Sequence, residues 1–486
     1  MKSKLITVAI ITLSISLNAF AQYPEDALRL GQSEYGVSAR SMSMGNAMVG
    51  LSQGYDAAFF NPAGLAQSRQ SQFAMGLNFL GYNNDVTYYN QSTTGSSSQT
   101  DLSNLGLVYP FPTMRGSFVI ALGYNRGTDF NSALSFNGFN PSSSIIPTLK
   151  TDPKTDPQGT YDIPYNVGLE DTLGNIIVNK NVGQSGTVYE SGGLNHWLAA
   201  GAVDIAQDFS IGLTLNLVSG SYKYNRSFTE TDPRHLYTGQ LSDLQGAVGF
   251  GSFALSDQVD QDLSGWNAKV GLLYRLPDDR GNTIARFGVT IQFPTFITVN
   301  ETYSDGGTAS YLSGTTISYN TPGGNSQYDV TTPFEFGVGV SGGTSQLLLA
   351  ADLKYEDWSQ LQFGNSNLPS DFIAGLNSQI KSEFRATANV GAGLEFALTD
   401  PQYSLFVPFL RVGGEYIQSP YVGDGTNQAQ KFLSGGVGVK LQNSIDLDFA
   451  YQYGWWNTTH QLYDSYSTTS EKITNTNFMF TFAYNF

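Results

Sequence analysis

Alternation organises this chain. Between Phe209 and Leu217 the apolar residues Phe209, Ile211, Leu213, Leu215 and Leu217 fall on one face, and Ser210, Gly212, Thr214 and Asn216 on the other. That is the period of a β-strand. Ile445, Leu447, Phe449, Tyr451 and Tyr453 alternate in the same way with Asp446, Asp448, Ala450, Gln452 and Gly454, and the chain closes on Phe478, Phe480, Phe482, Tyr484 and Phe486. Runs at 72–83, 102–111, 116–127, 197–205, 268–274, 287–293, 334–340, 347–355, 386–398, 410–416 and 433–441 bring the number of predicted strands to about 14.

The connectors sort by length. Short ones fall at 112–115, 207–208, 277–282, 342–345, 399–402 and 442–444, and long ones at 84–101, 128–195, 223–264, 300–327, 364–383, 419–431 and 457–474. Short turns at one end and long loops at the other are the habit of a membrane barrel, whose closed sheet leaves no backbone group unpaired in lipid. Eight strands are filled by their own side chains and 16 to 18 enclose water, so about 14 call for a plug. Residues 22–70 lack alternation and are rich in glycine, so they are assigned to an N-terminal hatch and 71–486 to the barrel. The predicted fold is all-β: a membrane-spanning antiparallel barrel with its hatch inside the lumen.

Upstream, Lys2 and Lys4 precede an apolar run from Leu5 to Leu17, and Ala19-Phe20-Ala21 ends it, so 1–21 reads as a signal peptide. Export points to the outer membrane of a Gram-negative cell. Only 13% of residues are charged, beside 53 Gly, 28 Tyr and 31 Phe, as an apolar outer surface requires. A net charge of −16 argues against nucleic-acid binding. With no Cys, and only His196, His235 and His460 far apart, no metal site, cofactor or catalytic constellation is expected. Gly337–Gly342 matches a dinucleotide fingerprint in letters only, because no helix follows it.

Two N-terminal stretches carry a resemblance. Ser38-Ala39-Arg40-Ser41-Met42-Ser43-Met44-Gly45-Asn46-Ala47, then Ala57-Ala58-Phe59-Phe60-Asn61-Pro62-Ala63-Gly64-Leu65-Ala66, resemble the hatch of the FadL/TodX family of outer-membrane transporters. Asp357-Trp358-Ser359 and Arg411-Val412-Gly413-Gly414-Glu415-Tyr416, running on to Ser419-Pro420, resemble two of its strand motifs. The resemblance implies passive uptake of long-chain fatty acids or other hydrophobic compounds by loop capture, lumenal binding and lateral release. It also implies a monomer among outer-membrane lipid and lipopolysaccharide, with no cofactor, and the terminal Phe486 resembles the signal read by barrel-assembly machinery. PorV-type proteins carry a similar hatch and act as shuttles or scaffolds for secreted protein cargo; that alternative stays open.

Site candidates follow. A carboxylate head group wants a cationic donor, and Lys269, Arg286, Arg385 and Arg411 stand on polar strand faces; the competing reading pairs them with lumenal carboxylates. Leu241, Leu244, Phe250 and Phe253 in 223–264 are capture-loop candidates, against a loop packed on itself. Asn61-Pro62-Ala63 reads as a rigid turn from the residues, and as the hatch tip facing the lateral opening from the resemblance.

Overall fold

The computed structural model describes residues 24–31, 36–278, 283–442 and 444–486, so the predicted signal peptide lies outside the described residues. One antiparallel sheet holds the described strands, and its last strand pairs back onto its first, from Gln72–Asn485 to Thr87–Ser470. The sheet is thus a closed barrel of 14 wall strands.

In chain order the first six are Gln72–Tyr88, Gln91–Phe111, Phe118–Asp129 continued by Ser132–Asn140, Val182–Ala206, Phe209–Thr231 and Phe250–Pro277. The seventh is Thr283–Gln292 with Phe296–Tyr311, the eighth Thr316–Asn320 with Gly324–Thr331 and Glu335–Gly343, and the ninth Leu347–Asp357 with Gln362–Gly364. The last five are Ala386–Ala397, Phe406–Ile417, Gln430–Leu441, Ile445–Gln461 and Thr468–Asn485. Every run predicted from alternation falls on one of them, to within two residues at its ends.

The alternation also says which face meets lipid. Leu213, Leu215 and Leu217 point outward and are 45 to 67% exposed, whereas Thr214 and Asn216 between them are buried. Holding such a belt against water would cost about 25 cal/mol per Å², so the outer face belongs in a bilayer.

Several predicted connectors are themselves strand. Residues 84–101 form a hairpin that turns at Tyr89 and Asn90, both with positive φ as a tight two-residue turn requires. Most of 223–264 and 300–327 is likewise strand rising beyond the belt. There the apolar residues change face: above Leu217 the buried apolar residues of the fifth strand are Val218, Tyr222 and Phe228, on the inward register that Thr214 and Asn216 occupy below. Apolar-outward alternation becomes apolar-inward, and the extensions close over a core that includes Phe136, Ile146, Ile163 and Phe253.

Candidate functional site

The N-terminal segment is held by hydrogen bonds to inward-facing groups around the ring. Ser38 caps the short helix Ala39–Ser43 in a reciprocal box with Ser41, and its hydroxyl also donates to Asp56 at 2.7 Å. From there the bonds fan out: Ala39 N to Thr481 (2.8 Å), Arg40 to Glu395 (2.9 Å), Asn46 to Glu415 (2.9 Å) and Val49 N to Asp352 (2.5 Å). On the far side Thr214 donates to Ala58 O at 2.7 Å, and Tyr55 to Tyr124 O at 3.1 Å. These partners belong to the third, fifth, ninth, tenth, eleventh and fourteenth strands.

Glycines admit the segment. A Cβ on Gly391 or Gly413 would overlap the backbone of Gly45, one on Gly393 that of Met44, one on Gly288 the carbonyl of Val49, and one on Gly212 the Pro62–Ala63 peptide. The wall lacks side chains where the segment's backbone lies against it.

Asn61 explains its own motif. Its Oδ1 accepts from Ala63 N at 3.1 Å, capping the turn Pro62–Gln67 with Pro62 at the first position. Its Nδ2 donates to Val49 O at 2.7 Å and to Leu272 O of the sixth wall strand at 3.1 Å. The rigid turn of the sequence reading is therefore also tied to the wall.

Above this segment the lumen is apolar. Leu194, Val218, Leu263, Val299, Tyr328 and Phe363 point inward from the fourth to ninth strands, and Leu376 and Ile380 descend from the helix Ser370–Glu383. Helix α1 (Pro24–Gly31) lies among them, with Ala27, Leu28 and Leu30 buried. A residual cavity of about 40 Å³ remains beside Leu30, Gly31, Leu194, His196, Thr295 and Thr332.

At that height three neighbouring strands are interrupted: the seventh at 293–295, the eighth at 332–334 and the ninth at 358–361. Pro294 and Pro333 each lack a ladder donor. Across the gap, among the described residues, Thr332 N to Thr295 O (3.1 Å) and Thr295 N to Thr332 Oγ1 (2.9 Å) are the hydrogen bonds that link seventh to eighth strand. In the ninth, Asp357 accepts from Ser359 Oγ and caps a single turn, which swings Trp358 inward, where its Nε1 donates to Thr387 at 2.9 Å. This crease separates the residual cavity from the outer face, where Phe293 and Phe334 pack ring to ring at 5.7 Å. Just above them an outer groove of about 640 Å³ runs past Leu217, Trp266, Phe296 and Asp329. Prolines beside Phe293 and Phe334, in runs that otherwise read as strand, were the available sequence signal for the crease.

The four cationic candidates part company. Arg411 is bound to Glu395 (2.6 Å) and Asp448 (2.5 Å) in a buried network that Arg40 joins through Glu395. Lys269 donates to Phe59 O at 3.0 Å with Glu335 3.9 Å away, and Arg385 spends its guanidinium on the carbonyls of Ser419 and Asp424. Arg286 makes no hydrogen bond or ion pair with a described residue; its Nε is buried, and Arg275 stands opposite it in the ladder. It lies two residues below Gly288, beyond the N-terminal segment from the apolar chamber.

Of the capture candidates, Phe250 and Phe253 are strand residues, and with Leu241 they are buried in the outer core; Leu244 alone is exposed. The packed-loop reading describes the other three.

No protein-family model matches the sequence, and no curated protein matches it significantly. Solved structures do match. A FadL homologue from Pseudomonas aeruginosa superposes with a TM-score of 0.53 at 13% identity, over 93% of this chain and 98% of that one. The toluene transporter TodX of Pseudomonas putida gives 0.52 at 16% identity, over 93% and 99%, and a TodX variant described as a monoaromatic hydrocarbon channel gives 0.53 at 16%, over the same shares. The chain has the TodX and FadL-homologue fold. It is an outer-membrane type of β-barrel, spanning with strands; among the described residues no helix is long and apolar enough to cross.

Proposed function

We propose that the chain carries hydrophobic small molecules passively through the outer membrane, with residues 22–70 acting as the hatch and the crease as the lateral exit. The apolar chamber bounded by Leu194, Val218, Leu263, Val299, Tyr328 and Phe363, set above the buried Asp352, Glu395 and Arg411 of the inner wall, carries this reading. The fold likeness to barrels described as a toluene transporter and a monoaromatic hydrocarbon channel supports it. Burial of apolar area supplies the affinity, and no energy source is required for a downhill passage.

Ligand enters from the outer side, rests in the chamber above the hatch, and leaves between the seventh and eighth strands past Phe293 and Phe334. Arg286 alone of the four cationic candidates retains an uncommitted guanidinium, so any head-group role falls to it. The cargo-shuttle alternative requires adhesive connectors, yet much of the apolar content of 128–195 is turned into the outer core, including Phe136, Ile145, Ile146, Ile163 and Val167. The test is a ligand census on the purified mature barrel: binding of alkanes, aromatics and long-chain fatty acids, with mass spectrometry of co-purified lipid. Saturable binding of one class is expected, and a folded barrel that binds none overturns the reading.

A further inference from the structure

Helix α1 stands where a ligand of the proposed function would stand. Ala27, Leu28 and Leu30 are at most 4% exposed, and they fill the chamber against Leu263, Val299, Tyr328, Trp358 and Ile380. What remains is about 40 Å³, room for a water or two, where small-molecule sites measure about 300 to 1,000 Å³. Eight residues make about two turns and are too short to hold a helix in water, so α1 owes its form to the chamber.

The charges in the chamber belong to the same arrangement. Arg29 lies over the Tyr222 ring at 3.9 Å, pairs with Asp26 at 2.8 Å, and stands 3.7 Å from Glu190, which accepts from Tyr222 Oη at 2.6 Å. Glu301 faces the same space, held by Gln261 Nε2 at 2.8 Å and Tyr328 Oη at 3.2 Å. The neighbouring wall cation, Arg126, is engaged by Gly192 O, Asn195 and Asp129. Glu190 and Glu301 are thus fixed to the wall, while Arg29 and its partner Asp26 both ride on α1.

We infer that the chamber is a ligand site occupied by the chain's own helix α1, and that it takes an uncharged, elongated hydrophobe in α1's place. Rotation of α1 out of the chamber removes Arg29 along with Leu28 and Leu30. A carboxylate ligand would then meet Glu190 and Glu301 in a space of low dielectric, and among the described residues the neighbouring wall cation Arg126 is already engaged. An alkyl chain or aromatic hydrocarbon meets no such penalty and recovers the apolar contacts α1 gave up. The apparent affinity of the intact chain is the chamber's own, reduced by the fraction of time α1 is out.

This rests on the transport reading, and the experiment separates the two. Binding of dodecane and of dodecanoate is measured in nanodiscs for the intact mature chain, for a chain lacking residues 22–31, and for Leu28→Asp, each checked for the heat-modifiable shift of a folded barrel. A nitroxide on Glu25→Cys, at an exposed position of α1, reports the helix in the intact chain. Dodecane is expected to bind the truncated and Leu28→Asp chains at least tenfold more tightly, to mobilise the nitroxide at saturation, and to gain more from truncation than dodecanoate does. Equal dodecane affinity with and without α1, an immobile nitroxide at saturation, or an equal gain for dodecanoate overturns the inference and leaves transport standing. No binding of either probe by any of the folded chains overturns both.

Discussion

Pro294 and Pro333 stand directly opposite one another on neighbouring strands. The pairings Gln292–Glu335 on one side and Phe296–Thr331 on the other fix that register, and the three residues between them on each strand leave the ladder. Two prolines facing across one gap remove donors from both sides at once, so this stretch of wall is held mainly by the Thr295 and Thr332 bonds.

The crease is therefore where a staple should matter. In a Thr295→Cys/Thr332→Cys barrel, oxidation is expected to cut dodecane uptake by proteoliposomes at least tenfold while leaving dodecane binding intact, with recovery on reduction. Uptake indifferent to oxidation would move the exit to another part of the wall.

The buried Arg411 network should be costly to break. Arg411→Met leaves Asp448 without its cation and Glu395 with Arg40 alone. A loss of about 3 to 5 kcal/mol is expected, read as a lower temperature for the heat-modifiable shift.

The seat of the N-terminal segment tolerates no side chain. Gly413→Val drives a branched group into the backbone at Met44 and Gly45. The barrel should still fold, since its ladder is unchanged, and the outer membrane should become leaky to large hydrophilic antibiotics. Retained impermeability would mean that the segment yields without unseating.

Glu230 gives the outer core a pH dependence. Its carboxylate is fully buried in the extension beyond the apolar belt and accepts from Ser144, Ile145 N and Gln184, all three of them neutral; burial pushes its pKa from 4.5 up to about 7. A carboxyl whose folded pKa is raised stabilises fully below its unfolded value and loses that contribution as pH rises through the folded one. The hydrogen-exchange protection of 141–181, taken relative to the intrinsic exchange rate at each pH, should therefore fall between about pH 4.5 and 7 and change little above. Glu230→Gln should flatten the profile.

The membrane part of the fold was legible because lipid outside and polar groups inside impose one strict period, as in Phe209–Leu217. Beyond the belt the rule inverts: Tyr222 and Phe228 turn inward and Lys223 outward, so the pattern loses phase at the point where the strand leaves the bilayer, and the sequence reads as loop. The Asn61 turn was legible from Asn and Pro chemistry, but its tie to Leu272 O is tertiary and leaves no local trace. Partner choice was equally hidden. Arg286 and Arg411 occupy similar polar faces, and only the register decides that Arg411 meets Glu395 while Arg286 meets another arginine.

The bare glycine line against which Met44, Gly45 and Val49 lie has a mechanical meaning. Side chains that interlock resist sliding, because each step must lift one knob over another. A backbone resting on glycines has no knobs, so the surface beneath the N-terminal segment is smooth and offers little friction to a small shift. What holds the segment in place is a ring of discrete clasps, among them Arg40 on Glu395, Asp352 on Val49 N and Asn61 on Leu272 O, with Thr481, Glu415 and Thr214 completing it. Such a part moves by releasing its clasps one at a time, and the wall around it stays as it is.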